Sequence, residues 1–155
     1  GLDFVDRERV GLWGWSYGGY MTLMTTLQAP GRFEAGVSGA PVTDWSLYDT
    51  HYTERYMGTP QENQDGYEQG SAFAHAENYT TPLLMIHGMA DDNVIFDHST
   101  RLYATLQEQG ERFEMMTYPG QRHGIRPPPL QIHLLQTIKG FFDEELAEDD
   151  VRAEE

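Results

Sequence analysis

The chain has no cysteine in 155 residues, which excludes disulfide bridges and a cysteine nucleophile and leaves the redox compartment undecided. It has little positive charge: ten Lys and Arg stand against 25 Asp and Glu, a formal net charge of −15. That balance argues against nucleic acid as a partner. No run of 18 apolar residues is present, so no membrane span is expected. The N-terminal Gly1-Leu2-Asp3-Phe4-Val5-Asp6-Arg7 has no apolar signal-peptide core and no initiator methionine, so Gly1 is expected not to be the natural start. Repeats, linkers and low-complexity segments are also lacking. What remains suits a single globular core, with 39% hydrophobic and 12% aromatic residues. Part of the negative charge is local: Asp143 to Glu155 holds eight acids and one arginine, and residues 147–155 read as a solvated acidic tail.

The most informative stretch is Gly14-Trp15-Ser16-Tyr17-Gly18, a G-x-S-x-G nucleophile elbow. Arg9 to Trp13 reads as an apolar strand leading in, and Gly19 to Ala29 as a helix leading out, stopped by Pro30-Gly31. A strand, a tight turn and a helix lift a serine hydroxyl clear of a sheet, and the helix N-terminus offers free backbone N–H groups to a developing oxyanion.

The rest of the chain alternates the two periods. Ala35 to Ser38 reads as a weak strand ended by Gly39-Ala40-Pro41. Asp44 is expected to cap a helix carrying Trp45, Tyr48 and Tyr52 on one face. Residues 58–77 read as short helices and loops. Pro82 to Gly88 is a continuous apolar run, the pattern of a strand buried on both faces. Asp97 to Gln109 reads as a helix stopped by Gly110, Arg112 to Tyr118 as a strand, and Leu130 to Leu146 as a closing helix. Such alternation implies an α/β fold, with a mostly parallel sheet and helices on both faces.

After an elbow serine, the acid and then the histidine are expected in loops that follow later strands. Asp91 and Asp92 follow the buried strand, and His123 follows the next. The other five histidines fall in helical, polar or strand positions: His51, His75, His87, His98 and His133. The spacing does not choose between Asp91 and Asp92, and a pair of acids in a loop is ordinarily a solvated turn.

Four ordered segments carry a resemblance: Gly14 to Tyr20, Tyr52 to Gly58, His87 to Val94, and His123-Gly124. With them the chain resembles the prolyl oligopeptidase family and, within it, the dipeptidyl peptidase IV group. The resemblance implies the C-terminal portion of an α/β-hydrolase catalytic domain over residues 1–146. It implies Ser16, Asp91 and His123 as a catalytic triad, with the Tyr17 amide in the oxyanion hole and Asn93 on a substrate carbonyl. It also implies that Tyr17, Val42, Trp45, Tyr48, Tyr52 and Val94 form an apolar pocket for a proline ring; read alone, the three spaced aromatics would more often be core packing.

The expected activity is a serine peptidase releasing N-terminal dipeptides, preferably X-Pro, with no cofactor and no metal. The expected partners are a peptide substrate and the rest of the same protein, a β-propeller and the N-terminal part of the hydrolase domain, with a homodimer left open. The family's oxyanion-hole tyrosine and its paired glutamates for the substrate amino terminus are not found here. The acids often found before the histidine are replaced by Gly120-Gln121-Arg122. The chain alone is therefore expected to be weak or inactive. An acylaminoacyl peptidase or oligopeptidase of the same family is the alternative, and a non-catalytic folding or interaction module is the reading from a different class.

Overall fold

The computed structural model describes residues 4–147. Except for Ala147, the acidic tail read at residues 147–155 lies outside them.

Four strands, β1 (Gly11–Trp15), β2 (Ala35–Gly39), β3 (Leu83–Gly88) and β4 (Glu114–Tyr118), form one sheet in chain order, every neighbouring pair parallel. A parallel neighbour requires a crossover, and helices supply each one. Helix α1 (Tyr17–Gln28) joins β1 to β2, and α4 (Asp97–Glu108) joins β3 to β4. Between β2 and β3 lie a 3₁₀ turn (Trp45–Leu47), α2 (Thr50–Met57), α3 (Gln64–Gln69) and a second 3₁₀ segment (Ala72–Asn78). Helix α5 (Pro128–Glu145) closes the chain.

The apolar run in β3 explains the layering. All six of its residues are buried, and their side chains alternate between two cores. Leu83 and Met85 pack with Leu23 and Leu27 of α1 and with Leu102 and Leu106 of α4. Leu84 and Ile86 face the other way, onto Val37, Tyr118, and Ile138 and Phe141 of α5. Helices therefore cover both faces, as the alternation predicts. Burying a large aliphatic side chain contributes roughly 1.5–3 kcal/mol, so this strand anchors both layers.

Several element ends differ from the sequence reading by one or two residues, with α1 starting at Tyr17, β4 at Glu114 and α5 at Pro128, and two differences bear on the site. The first strand lies two residues later, at Gly11–Trp15 rather than Arg9 to Trp13, which brings it directly up to Ser16. The single helix expected from Asp44 is two pieces. Asp44 does act as a cap, accepting from the Ser46 amide at 2.8 Å, but Tyr48 is extended and Asp49 starts a new helix by accepting from the Tyr52 amide at 2.9 Å. Two capping aspartates five residues apart offer the backbone two separate starts, and the chain takes both.

Candidate active site

Every residue of the site follows the carboxyl end of a strand. Ser16 follows β1, Val42 and Trp45 follow β2, Asp91, Asn93 and Val94 follow β3, and His123 follows β4. In a parallel sheet these ends share one edge, which is where a crevice forms.

Ser16 sits between β1 and α1 with φ 61° and ψ −118°, a left-handed conformation that costs a serine energy. Its amide donates to the Gly39 carbonyl at 2.8 Å, so the turn is an extension of the β1–β2 pairing. Two glycines permit the turn. A Cβ at Gly14 would lie 2.3 Å from the Gly18 oxygen, and one at Gly19 would lie 2.4 Å from the Gly39 oxygen. The Tyr17 amide is the first of α1 and, by helix geometry, has no intrahelical acceptor.

Ser16 Oγ lies 2.8 Å from His123 Nε2, and His123 Nδ1 lies 2.8 Å from Asp91 Oδ2. The serine hydroxyl donates to Nε2, and Nδ1–H donates to the carboxylate. Asp91 is buried and its other oxygen accepts from the amides of Asn93, at 2.9 Å, and Val94, at 3.1 Å. Four donors thus surround a charge that water does not reach, since His87 Nε2 also lies 3.2 Å from Oδ2. Asp92 instead points outward to an exposed ion pair with Arg122. The two loops are held together by backbone: Met89 N–H donates to the Tyr118 carbonyl and Ala90 N–H to the Gln121 carbonyl. From below, the Trp15 indole donates to the His123 carbonyl at 2.8 Å.

Beside Ser16 is a cavity of about 600 Å³ lined by Tyr17, Tyr20, Trp45, Tyr52 and Tyr56 with Thr53, Met57, Gly66 and Gly70. The rings of Trp45 and Tyr52 stack at 6.1 Å and 21°, and Tyr48 meets each edge-on at 5.8 and 5.5 Å. Splitting the expected helix therefore does not separate the three aromatics. Val42 and Val94 are fully covered, in a cluster with Trp45 and Tyr67 on which Tyr48 packs, and they do not line the cavity. Tyr48 Oη donates to Asn93 Oδ1 at 2.7 Å, which leaves the Asn93 amide hydrogens for another acceptor.

Of the histidines, His51 is exposed on α2, His75 Nε2 meets the Gln69 carbonyl, and His133 Nδ1 meets the Tyr118 hydroxyl. Among the residues that the sequence reading missed are Tyr20 and Tyr56 in the cavity wall, Trp15 under His123, and His87 against Asp91. A histidine four residues before the acid, at a strand end marked by glycine, was the available signal for the last.

The prolyl oligopeptidase family model matches residues 1–149. The chain is 44% identical to dipeptidyl peptidase 8 of Homo sapiens over 144 residues, covering 88% of this chain and 16% of that protein. It is 42% identical to dipeptidyl peptidase 4 of Felis catus, covering 91% of this chain and 19% of that one. The crystal structure of Porphyromonas gingivalis dipeptidyl peptidase 4 superposes with a TM-score of 0.89 at 40% identity, over 92% of this chain and 20% of that structure. The chain spans about a sixth to a fifth of the length of these relatives. A parallel α/β sheet with this elbow, matched over nearly its whole length, decides the affiliation: the chain belongs to the prolyl oligopeptidase family.

Proposed function

We propose that this chain carries the reacting groups of a serine peptidase that releases N-terminal dipeptides, preferably X-Pro, through an acyl-enzyme. The unbroken line of contacts from Ser16 Oγ to His123 and on to Asp91, 2.8 Å at each step, carries the proposal. Ser16 Oγ attacks the scissile carbonyl while His123 Nε2 takes its proton, and the imidazolium then returns that proton to the departing amine. Asp91 holds the Nδ1–H tautomer and supports the imidazolium. The Tyr17 amide donates to the oxyanion. Water repeats the cycle on the ester. Asn93 donates to a substrate carbonyl, and Tyr17, Trp45, Tyr48 and Tyr52, backed by Val42 and Val94, receive the proline ring. The remaining parts of the site, including the groups that bind the free amino terminus, belong in this reading to the rest of the same protein, and residues 1–146 to its hydrolase domain.

In the full-length protein, a fluorophosphonate should label Ser16, and Ser16→Ala should abolish both labelling and hydrolysis of a Gly-Pro reporter. Asp91→Asn should lower kcat by about 10⁴ because it leaves the wrong tautomer on His123, whereas Asp92→Asn should leave kcat unchanged. Turnover by Ser16→Ala, or a preference for a Gly-Arg reporter, would overturn the proposal.

A further inference from the structure

His87 is fully buried at the end of β3, and no step of the mechanism above uses it. Its Nε2 lies 2.8 Å from the Val94 carbonyl and 3.2 Å from Asp91 Oδ2, and its Nδ1 lies 2.7 Å from Ser99 Oγ. The Val94 carbonyl can only accept, so Nε2 carries the hydrogen. Nδ1 is then an acceptor and the Ser99 hydroxyl donates to it. One tautomer is thereby fixed from both sides, with Ser99 itself buried in α4.

We propose that His87, oriented by Ser99, is a positioning residue that fixes Asp91 Oδ2 on the Nδ1–H of His123. This rests on the roles assigned above to Ser16, His123 and Asp91. The four residues from Asp91 to Val94 wrap around the carboxylate, with the Asn93 and Val94 amides on Oδ1. His87 closes that wrap by joining the Val94 carbonyl at one end to the carboxylate at the other. Two donors thus share Oδ2, and the second limits the directions in which the carboxylate can face His123. A neutral donor suits this place. Burial lowers the proton affinity of His87 below the ordinary histidine range, so it holds Asp91 without a positive charge that would compete with the imidazolium of His123. The ring of Phe96 packs edge-on against His87 at 5.5 Å.

The test uses the full-length enzyme, with kcat normalised to the fraction of Ser16 that a fluorophosphonate labels at completion. His87→Leu should lower kcat by about tenfold or more, the scale on which metal-ligating histidines respond to loss of an orienting partner, with KM unchanged. With one donor fewer on Asp91, more of its charge bears on His123, so the acid limb of the kcat/KM profile should move to higher pH. His87→Gln, which restores a donor near Nε2, should recover most of the loss. Ser99→Ala should reproduce it in smaller degree, and it decides alone if His87→Leu does not fold. An unchanged kcat and pH profile in Ser99→Ala or in folded His87→Leu, or equal losses in His87→Leu and His87→Gln, overturns the proposal. Labelling of Ser16 in those same samples shows that the reading of the serine still stands.

Discussion

At the scale of single residues, buried imidazoles should make the protein sensitive to acid. His98 is fully buried at the start of α4, and its Nδ1 accepts from the Thr43 amide at 3.1 Å. A proton on Nδ1 would destroy that bond and place a charge in the core. Burial first, and the neighbouring His87 second, push its pKa down from 6.5 to about 4. The unfolded chain binds a proton below about pH 6.5 that the folded chain refuses until about pH 4, so stability falls as pH drops through that window. His87 is shifted in the same direction and adds to the effect. Urea midpoints at neutral pH and near pH 5 should therefore differ less in His98→Asn, whose Oδ1 still accepts from Thr43 but does not titrate. A wild-type-like pH slope in that variant would mean the acid sensitivity lies elsewhere. None of this was legible in the sequence, where His98 stands only as a helix-start residue. Its neutrality depends on a Thr43 amide 55 positions away, a contact that no local pattern carries.

At the scale of elements, the site was legible where chemistry is written locally and illegible where caps compete. The elbow announces itself because close backbone approach forces glycine at Gly14, inside the motif, and at Gly19, just after it, and Asp91 and His123 stand out because each follows a strand. The segment from Asp44 to Tyr52 reads as one helix because its aromatics keep a helical spacing through a break. Tyr52, whose ring stacks on Trp45, gives its amide to the second cap, Asp49, at the start of α2. Losing a capping carboxylate costs about 1 kcal/mol, enough to fray a helix of eight residues. Asp49→Ala should thus loosen the stacked wall without touching Ser16, His123 or Asp91. The expected outcome is a smaller ratio of kcat/KM for Gly-Pro over Gly-Ala reporters, with the rate of fluorophosphonate labelling unchanged. An unaltered ratio would show that Tyr52 is held by its ring contacts alone.

At the scale of the whole molecule, strand–helix alternation gave the parallel sheet, and the burial of β3 gave its two covered faces. The structure shows β1, the strand that carries Ser16, at one edge of the sheet. Among the described residues β1 pairs only with β2; its Trp13 is half exposed, and before it Phe4 is 83% and Val5 44% exposed. An apolar edge with free N–H and C=O groups is a template for pairing with another chain. The described residues also offer the oxyanion one evident donor, the Tyr17 amide, and lack of a second such donor costs about 3 kcal/mol of transition-state stabilisation. Produced by itself, the 155-residue chain should therefore self-associate. It should still react slowly with a fluorophosphonate at Ser16, because the contacts from Ser16 to Asp91 lie wholly within it. Its turnover of a Gly-Pro reporter should fall about 10²-fold or more below that of the full-length protein, in line with the lost donor. Light scattering, labelling and turnover on one preparation separate these claims. A monomeric chain with full turnover would place both the edge and the oxyanion site in balance without any further segment.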